Sequence, residues 1–322
     1  MRCVSASSSS TDVREAHLWA QTFDGAFADI FRIQDEITSS IVAALASHLE
    51  NVVAPDVARA RPESLEAWEL CQRARAAFNH VIDADARRTA EALFRKAVKK
   101  DPNYAVAWVS LGTMIAFRWI VEPGIDGSAD RDEARICVER AIRLAPNDPD
   151  VLAGRGRYLM AIGQPQEAVP FLERARQLNP CEVAYRAQLA RALVNSGRAA
   201  EALKETEAVL RLSPLDPLAS GHYYQMAEIH LALDHFAESE AWARRALAGG
   251  LRSAALWFVL GNALGAQGKT EEAHAAIREA VNVSPGTTLA SMEHWYRRLG
   301  IEKTRLDGLL AHLKMCWPPE LR

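Results

Sequence analysis

Residues 149 to 180 read PDVLAGRGRYLMAIGQPQEAVPFLERARQLNP, and residues 183 to 214 read VAYRAQLARALVNSGRAAEALKETEAVLRLSP. An offset of 34 lays Leu159 on Leu193, Gly163 on Gly197, Ala168 on Ala202 and Pro180 on Pro214. Within each stretch, apolar residues recur at helical steps in two segments. Leu189 and Leu193 mark the first, and Ala202, Leu203 and Val209 the second, with Asn195-Ser196-Gly197 between them. That spacing predicts two helices joined by a turn. Proline closes each unit, because its ring and missing N–H cannot continue the helical hydrogen-bond ladder.

The same phase runs outward in both directions. Pro146 lies 34 residues before Pro180, and Pro102 precedes Pro146 by 44, one period plus ten. Pro285 follows Pro214 by 71, two periods plus three. A fixed period of this length signals stacked repeats. Residues 105–115, AVAWVSLGTMI, and 254–264, AALWFVLGNAL, share Trp, two residues, Leu-Gly, two residues and an apolar residue. Ala90, Phe94, Ala97 and Pro102 are repeated by Ala273, Ile277, Ala280 and Pro285.

This pattern resembles the tetratricopeptide repeat. The resemblance implies an all-α fold, an α-solenoid of antiparallel helix pairs stacked into a right-handed superhelix. Six repeats are expected within residues 62–285, the fifth degenerate, with Ser239 and Ala243 at the positions of the usual alanine and large apolar residue. Residues 286–322 read as C-terminal capping helices, and the charges Arg297, Arg298, Lys303 and Arg305 suit a wet outer face. Gly112, Gly156 and Gly261 fall where paired helices must approach closely, with Ala168, Ala202 and Ala273 opposite such positions. No hairpin of this size buries its own apolar face, so neighbouring repeats must stabilise one another.

The head of the chain has a different character. Residues 1–16 read as a Ser-rich disordered tail. Residues 17–54 read as a short strand, Trp19 to Phe23, followed by a helix from about Asp29 to Leu49 and a linker. Together, LWAQTFDGAFADIFRIQDEI at residues 18–37, ESLEAWELCQRARAAF at 63–78 and LLAHLKMCWPPE at 309–320 resemble the C-terminal half of a bacterial protein group. In that group a small α/β domain leads into such repeats, often behind a class III adenylate or guanylate cyclase domain or a winged-helix DNA-binding domain. The resemblance implies a regulatory or interaction module, with the strand and helix as a remnant of the α/β domain, and it carries no catalytic residue onto this chain. The unpaired strand edge is expected to invite self-association.

Composition narrows the function classes. A net charge of −3 gives no global basic footprint for nucleic acid. The longest apolar stretch, Ala105 to Phe117, is too short to span a bilayer, and no signal-peptide core opens the chain, so a cytoplasmic location is expected. Five scattered cysteines without close spacing read as reduced thiols. No phosphate-binding loop, zinc-protease motif, nucleophile elbow or dinucleotide fingerprint is present, so neither enzyme nor cofactor is expected. His222, His230 and His235 read as surface or packing histidines.

What remains is binding. In tetratricopeptide arrays the first helices of successive repeats line a concave face. Five places after the Trp-like position of each repeat stand Thr113, Arg157, Arg191, Glu228 and Asn262, the candidate groove residues. Arg157 and Arg191 fall in adjacent repeats, and a guanidinium fork matches carboxylate geometry, so the expected partner is a protein or peptide, with an acidic segment in the groove. An apolar surface around Trp119, Ile120 and Val121, beside the insertion EPGIDGSADRD, is the next candidate. Three functional classes follow: an interaction scaffold, which is the principal reading; a regulatory piece of a nucleotidyl cyclase or transcription-regulator system; and an enzyme in its own right.

Overall fold

A computed structural model describes residues 66–78, 84–121, 128–213 and 219–321, with the side chains of 78, 84, 119–121, 128 and 129 left aside. The expected tail, strand and first helix lie outside these residues, as does the insertion up to residue 127, and the apolar surface around Trp119 falls on side chains left aside. Fourteen α-helices occur among the described residues, with no strand. In chain order they are α1 Glu66–Phe78, α2 Ala84–Lys100, α3 Ala105–Val121, α4 Ser128–Leu144, α5 Pro149–Ala161, α6 Pro165–Leu178 and α7 Val183–Asn195. There follow α8 Ala199–Leu212, α9 Ala219–Ala232, α10 Phe236–Ala248, α11 Ala254–Ala266, α12 Thr270–Val283, α13 Leu289–Arg298 and α14 Lys303–Cys316.

Local chemistry sets several boundaries. Asp148 caps α5 by accepting from the Val151 amide at 3.1 Å, and Pro149 occupies the first turn, where its missing N–H costs nothing. The turns inside the third and fourth pairs use Gly163 at φ +78 and Gly197 at φ +79, the left-handed region open to glycine. At the other end, Thr288 and Ser291 form a reciprocal capping box that starts α13.

Close approach explains the small residues. A Cβ on Gly156 would stand 2.5 Å from Leu172 Cγ on α6, and one on Gly112 would stand 2.7 Å from the Ala134 carbonyl on α4. Ala168, Ala202 and Ala273 have no exposed surface at all. In the fifth pair Ser239 is equally buried, and its hydroxyl donates to the Ala227 carbonyl across the pair at 2.8 Å. Serine fits an alanine site here because its one polar group is satisfied.

The stacking order gives the curvature. First helices touch the first helices of the next pair: α1 meets α3, α3 meets α5, α5 meets α7, α7 meets α9 and α9 meets α11. Second helices pack against the first helices on either side of them rather than against one another. The layer whose members touch is the inner one, so α1, α3, α5, α7, α9 and α11 form the concave side of an α-solenoid.

The C-terminal helices do more than cover the end of this stack. Helix α14 packs along α11, and Leu306, Leu309, Leu310, Leu313, Cys316 and Trp317 join one buried core with residues of α9, α11 and α12. Trp317 is fully buried and stacks on Phe258, with ring centroids 5.9 Å apart. Arg297 and Lys303 are exposed, in line with a wet outer face. Arg305 departs from that expectation: it is half-buried and points back into the stack, because helix carbonyls there offer it acceptors.

Candidate docking surface on the concave face

The five candidate residues share one register position, and side-chain length decides where each ends. Thr113 is buried, and its hydroxyl is 2.8 Å from the Val109 carbonyl and 3.1 Å from the Gly154 carbonyl. Asn262 is also buried and donates to the Phe258 carbonyl at 2.9 Å. These two short side chains are buried between helices, Thr113 with its hydroxyl engaged and Asn262 with its Oδ1 left without a partner. Arg157, Arg191 and Glu228 are long enough to pass the packing layer.

Two of the three meet. Arg191 Nη1 lies 3.2 Å from Glu228 Oε2, an ion-pair distance, although Oε2 accepts no aligned hydrogen bond. Glu228 Oε1 accepts from the Tyr224 hydroxyl at 2.8 Å, and the Arg191 guanidinium lies over the Tyr224 ring, 5.6 Å from its centroid. The Glu228 charge holds the Arg191 guanidinium above its ordinary pKa, against the opposing effect of burial. Arg191 is therefore not a free cation beside Arg157, because its counter-charge comes from the next repeat.

The chain's own C-terminal turn closes over this region. The Glu302 amide donates to the Asn195 carbonyl at 2.9 Å, and Arg305 Nη1 donates to the Val194 carbonyl at 2.7 Å and to Asn195 Oδ1 at 3.2 Å. An arginine on the last carbonyls of α7 satisfies acceptors that no later amide of that helix reaches, at the negative end of the helix dipole. Gly300, at φ +64, presses against the Gly163 carbonyl, and a Cβ on Gly163 would stand 2.7 Å from the Arg298 carbonyl. Burial lowers the Arg305 pKa, partly offset by Glu228 and Tyr296.

Arg157 lies outside that closure. Near it, Arg75 of α1 reaches past α3 to Asp150 of α5, with Nη2 to Oδ2 at 3.3 Å. The Tyr185 hydroxyl of α7 donates to the other oxygen, Oδ1, at 2.8 Å. Both oxygens of Asp150 are thus engaged, and Arg157 feels that carboxylate only as a nearby charge. Burial, and then the neighbouring Arg75 charge, push the Arg157 guanidinium down to about 10. Its Nε is sealed from solvent without a hydrogen-bond partner, and so is Gln188 Oε1 on α7.

Sequence reasoning missed Arg75, Asp150, Tyr185, Gln188 and the turn around Gly300. Gly300 was the one available signal, a glycine followed by Ile301 between charged helices. Of the three histidines, His230 and His235 meet, with their Nδ1 atoms 3.4 Å apart. No group of three metal-ligating side chains occurs among the described residues. No helix among them is long and apolar enough to cross a membrane.

Fold and surface together define a class, an α-solenoid of helical hairpins with a polar inner face. Models described as tetratricopeptide repeat match residues 159–221 in one case and residues 127–180 and 224–287 in another, so the chain carries tetratricopeptide repeats. It is 30% identical over 154 residues to "Putative adenylate cyclase 3" of Rhizobium meliloti (strain 1021), covering 45% of this chain and 24% of that protein. It is 27% identical over 184 residues to "Cellulose synthase operon protein C" of Salmonella typhimurium (strain LT2), covering 52% of this chain and 15% of that protein. The chain spans about a quarter or less of these curated relatives. Among solved structures, the Cut9-Hcn1 hetero-tetramer of APC/C superposes with a TM-score of 0.56 at 15% identity, over 84% of this chain and 49% of that one. PilW, a type IV pilus biogenesis factor, superposes with a TM-score of 0.50 at 14% identity, over 67% of this chain and 93% of that one. At such identities the likeness shows the fold.

Proposed function

We propose that this protein is a non-catalytic scaffold that holds a segment of a partner protein against its concave face. The observation that carries this reading is the continuous layer of first helices, lined by half-buried polar side chains that include Arg157 and Gln188. A second reading is favoured by the match to a cyclase-named relative: the repeats serve as the regulatory module of a nucleotidyl cyclase or transcription-regulator system. In that reading the partner is the regulated protein, and the binding surface is the same.

The test places a photo-crosslinking residue at Gln188 on α7, or at the exposed Lys204 on α8. In native extract the scaffold reading expects a discrete adduct from position 188 and none from 204. Adducts from 204 alone would place binding on the outer layer and end the reading. Incubation of the purified protein with ATP or GTP and a divalent metal checks the catalytic alternative, and turnover would overturn the non-catalytic part of the proposal.

A further inference from the structure

The concave face is not one continuous groove. Over α7, α9 and α11 it is occupied by the chain's own residues, from Arg298 to Arg305 and along α14. That occupant is firmly held: Ile301 and Leu306 are buried beside the turn, and Trp317 anchors the far end without any exposed surface. Beside this turn, Arg191 and Glu228 neutralise one another, with the Arg191 side chain still 43% exposed. On the other side, the Arg75–Asp150 pair bridges α1 to α5.

Arg157 stands between these two closures. It follows Asp150 by seven residues and precedes Gly163 by six on the same rod, so about 10 Å of helix separates it from each boundary. We infer that the chain's C-terminal turn divides the concave face, and that only the compartment between the Arg75–Asp150 bridge and the Gly163–Gly300 contact receives a partner, an extended acidic segment of another protein. This rests on the scaffold reading above and gives its site and chemistry.

Charge complementarity selects the occupant. Asp150 is the one carboxylate whose charge acts on both Arg75 and Arg157, and its two oxygens already accept from Arg75 and Tyr185. One positive charge is left over in a half-buried place, where a ligand carboxylate gains more than it would in water. Arg157 Nε and Gln188 Oε1 are sealed from solvent, so it is the outer guanidinium nitrogens of the half-buried Arg157, on a face shared with the half-buried Gln188, that meet the ligand. An extended acidic peptide offers side-chain carboxylates for the guanidinium and a polar backbone beside the Gln188 amide.

The probe is a fluorescein-labelled octaglutamate peptide, followed by anisotropy against the full chain at low and at physiological salt, with a labelled octaserine as the uncharged control. Saturable binding of octaglutamate alone is expected, weakened by salt. Arg157→Gln should weaken it on the order of tenfold or more, and Gln188→Ala by a smaller factor. Arg157→Lys, which keeps the charge, should retain part of the binding and guards against a folding defect. Arg191→Gln should change binding less than about twofold, because that charge is already paired. A disulfide between Gly197→Cys and Glu302→Cys, which locks the turn in place, should leave binding unchanged. Citrate that competes as well as the peptide, gram for gram of carboxylate, would reduce the seat to a free-anion site and overturn the peptide assignment. No saturable binding of octaglutamate, undiminished binding by Arg157→Gln, or loss of binding on locking the turn would each overturn the inference. If octaglutamate fails while position 188 still crosslinks a partner, the scaffold reading stands and this seat is wrong; if both fail, both fall.

Discussion

The amide of Glu302 donates to the carbonyl of Asn195 at 2.9 Å, tying the turn after α13 to the end of α7, in the fourth helical pair of the described stack. Glu302 also caps α14, accepting from the Thr304 and Arg305 amides at 3.0 and 3.1 Å. One residue thus starts the last helix and docks it. Glycine makes the approach possible, since a Cβ on Gly300 would run into the Gly163 carbonyl and stand 2.7 Å from Pro165 Cδ. Gly300→Ala should lower stability by about 1–3 kcal/mol through left-handed strain and collision. It should also speed hydrogen exchange at the Glu302 amide. Gly308→Ala, within α14, is the control, because its Cβ would meet nothing within 4 Å, and it should stabilise by up to about 1 kcal/mol. Equal thermal midpoints for the two variants would contradict the docked turn.

Overpacking tests the hairpin interiors. Ala168 and Ala202 are completely buried, so leucine at either site must displace neighbours, at a cost of roughly 1–3 kcal/mol. Chemical denaturation should show a lower midpoint with an unchanged slope. A midpoint equal to that of the wild type would place these alanines outside the helix interfaces.

Glu240 makes stability depend on pH. Burial alone would raise its pKa, but hydrogen bonds from Lys269 at 2.7 Å, Arg244 at 2.9 Å and Gln267 at 3.0 Å outweigh it and hold the carboxyl down to about 2. A carboxyl depressed in the folded state contributes stability above its unfolded pKa, near 4.3. That contribution is lost as pH falls through the window from about 4.3 to 2. Glu240→Gln should cost about 1–2 kcal/mol at neutral pH, after allowance for solvent screening of the exposed partners. The deficit relative to wild type should shrink towards pH 2, and a deficit independent of pH would contradict the assignment.

Three thiols should be silent in the native protein. Burial pushes Cys71 up to about 12 and Cys137 and Cys316 up to about 11. At pH 8 the thiolate fraction is then on the order of one in a thousand or less. With Cys3 replaced by serine, an aromatic disulfide reagent should label the half-buried Cys181 first. The other three should react only at the rate of unfolding. Prompt labelling of more than one thiol would show that the helix packing is looser than described.

The sequence made the repeat period legible because each hairpin solves the same packing problem, so Gly163 and Gly197, or Ala168 and Ala202, fall at equal spacing. The candidate groove residues were legible only as a register position. Whether that position binds depends on reach: Thr113 and Asn262 turn to carbonyls within their own helices, while Arg157 passes the packing layer. The Arg191–Glu228 pairing joins different repeats, and nothing local in either helix signals it. The contacts of Gly300, Glu302 and Arg305 with α5 and α7 are more distant still, made once and outside the period, so they leave no recurring pattern to read.

The division of the concave face by the chain's own turn is tested most directly by the engineered cysteine pair Gly197→Cys and Glu302→Cys. An ideal Cβ on Gly197 stands 3.5 Å from Glu302 Cβ, within the range that disulfides span. Mild oxidation should close an intramolecular bond in the monomer, seen as two thiols lost and faster migration on a non-reducing gel. The closed loop, on the order of 100 residues, should raise stability by up to about 4–5 kcal/mol, less any strain at position 197. Two free thiols after oxidation, with the native buried cysteines still protected, would show that the turn does not lie against α7 and would contradict the account.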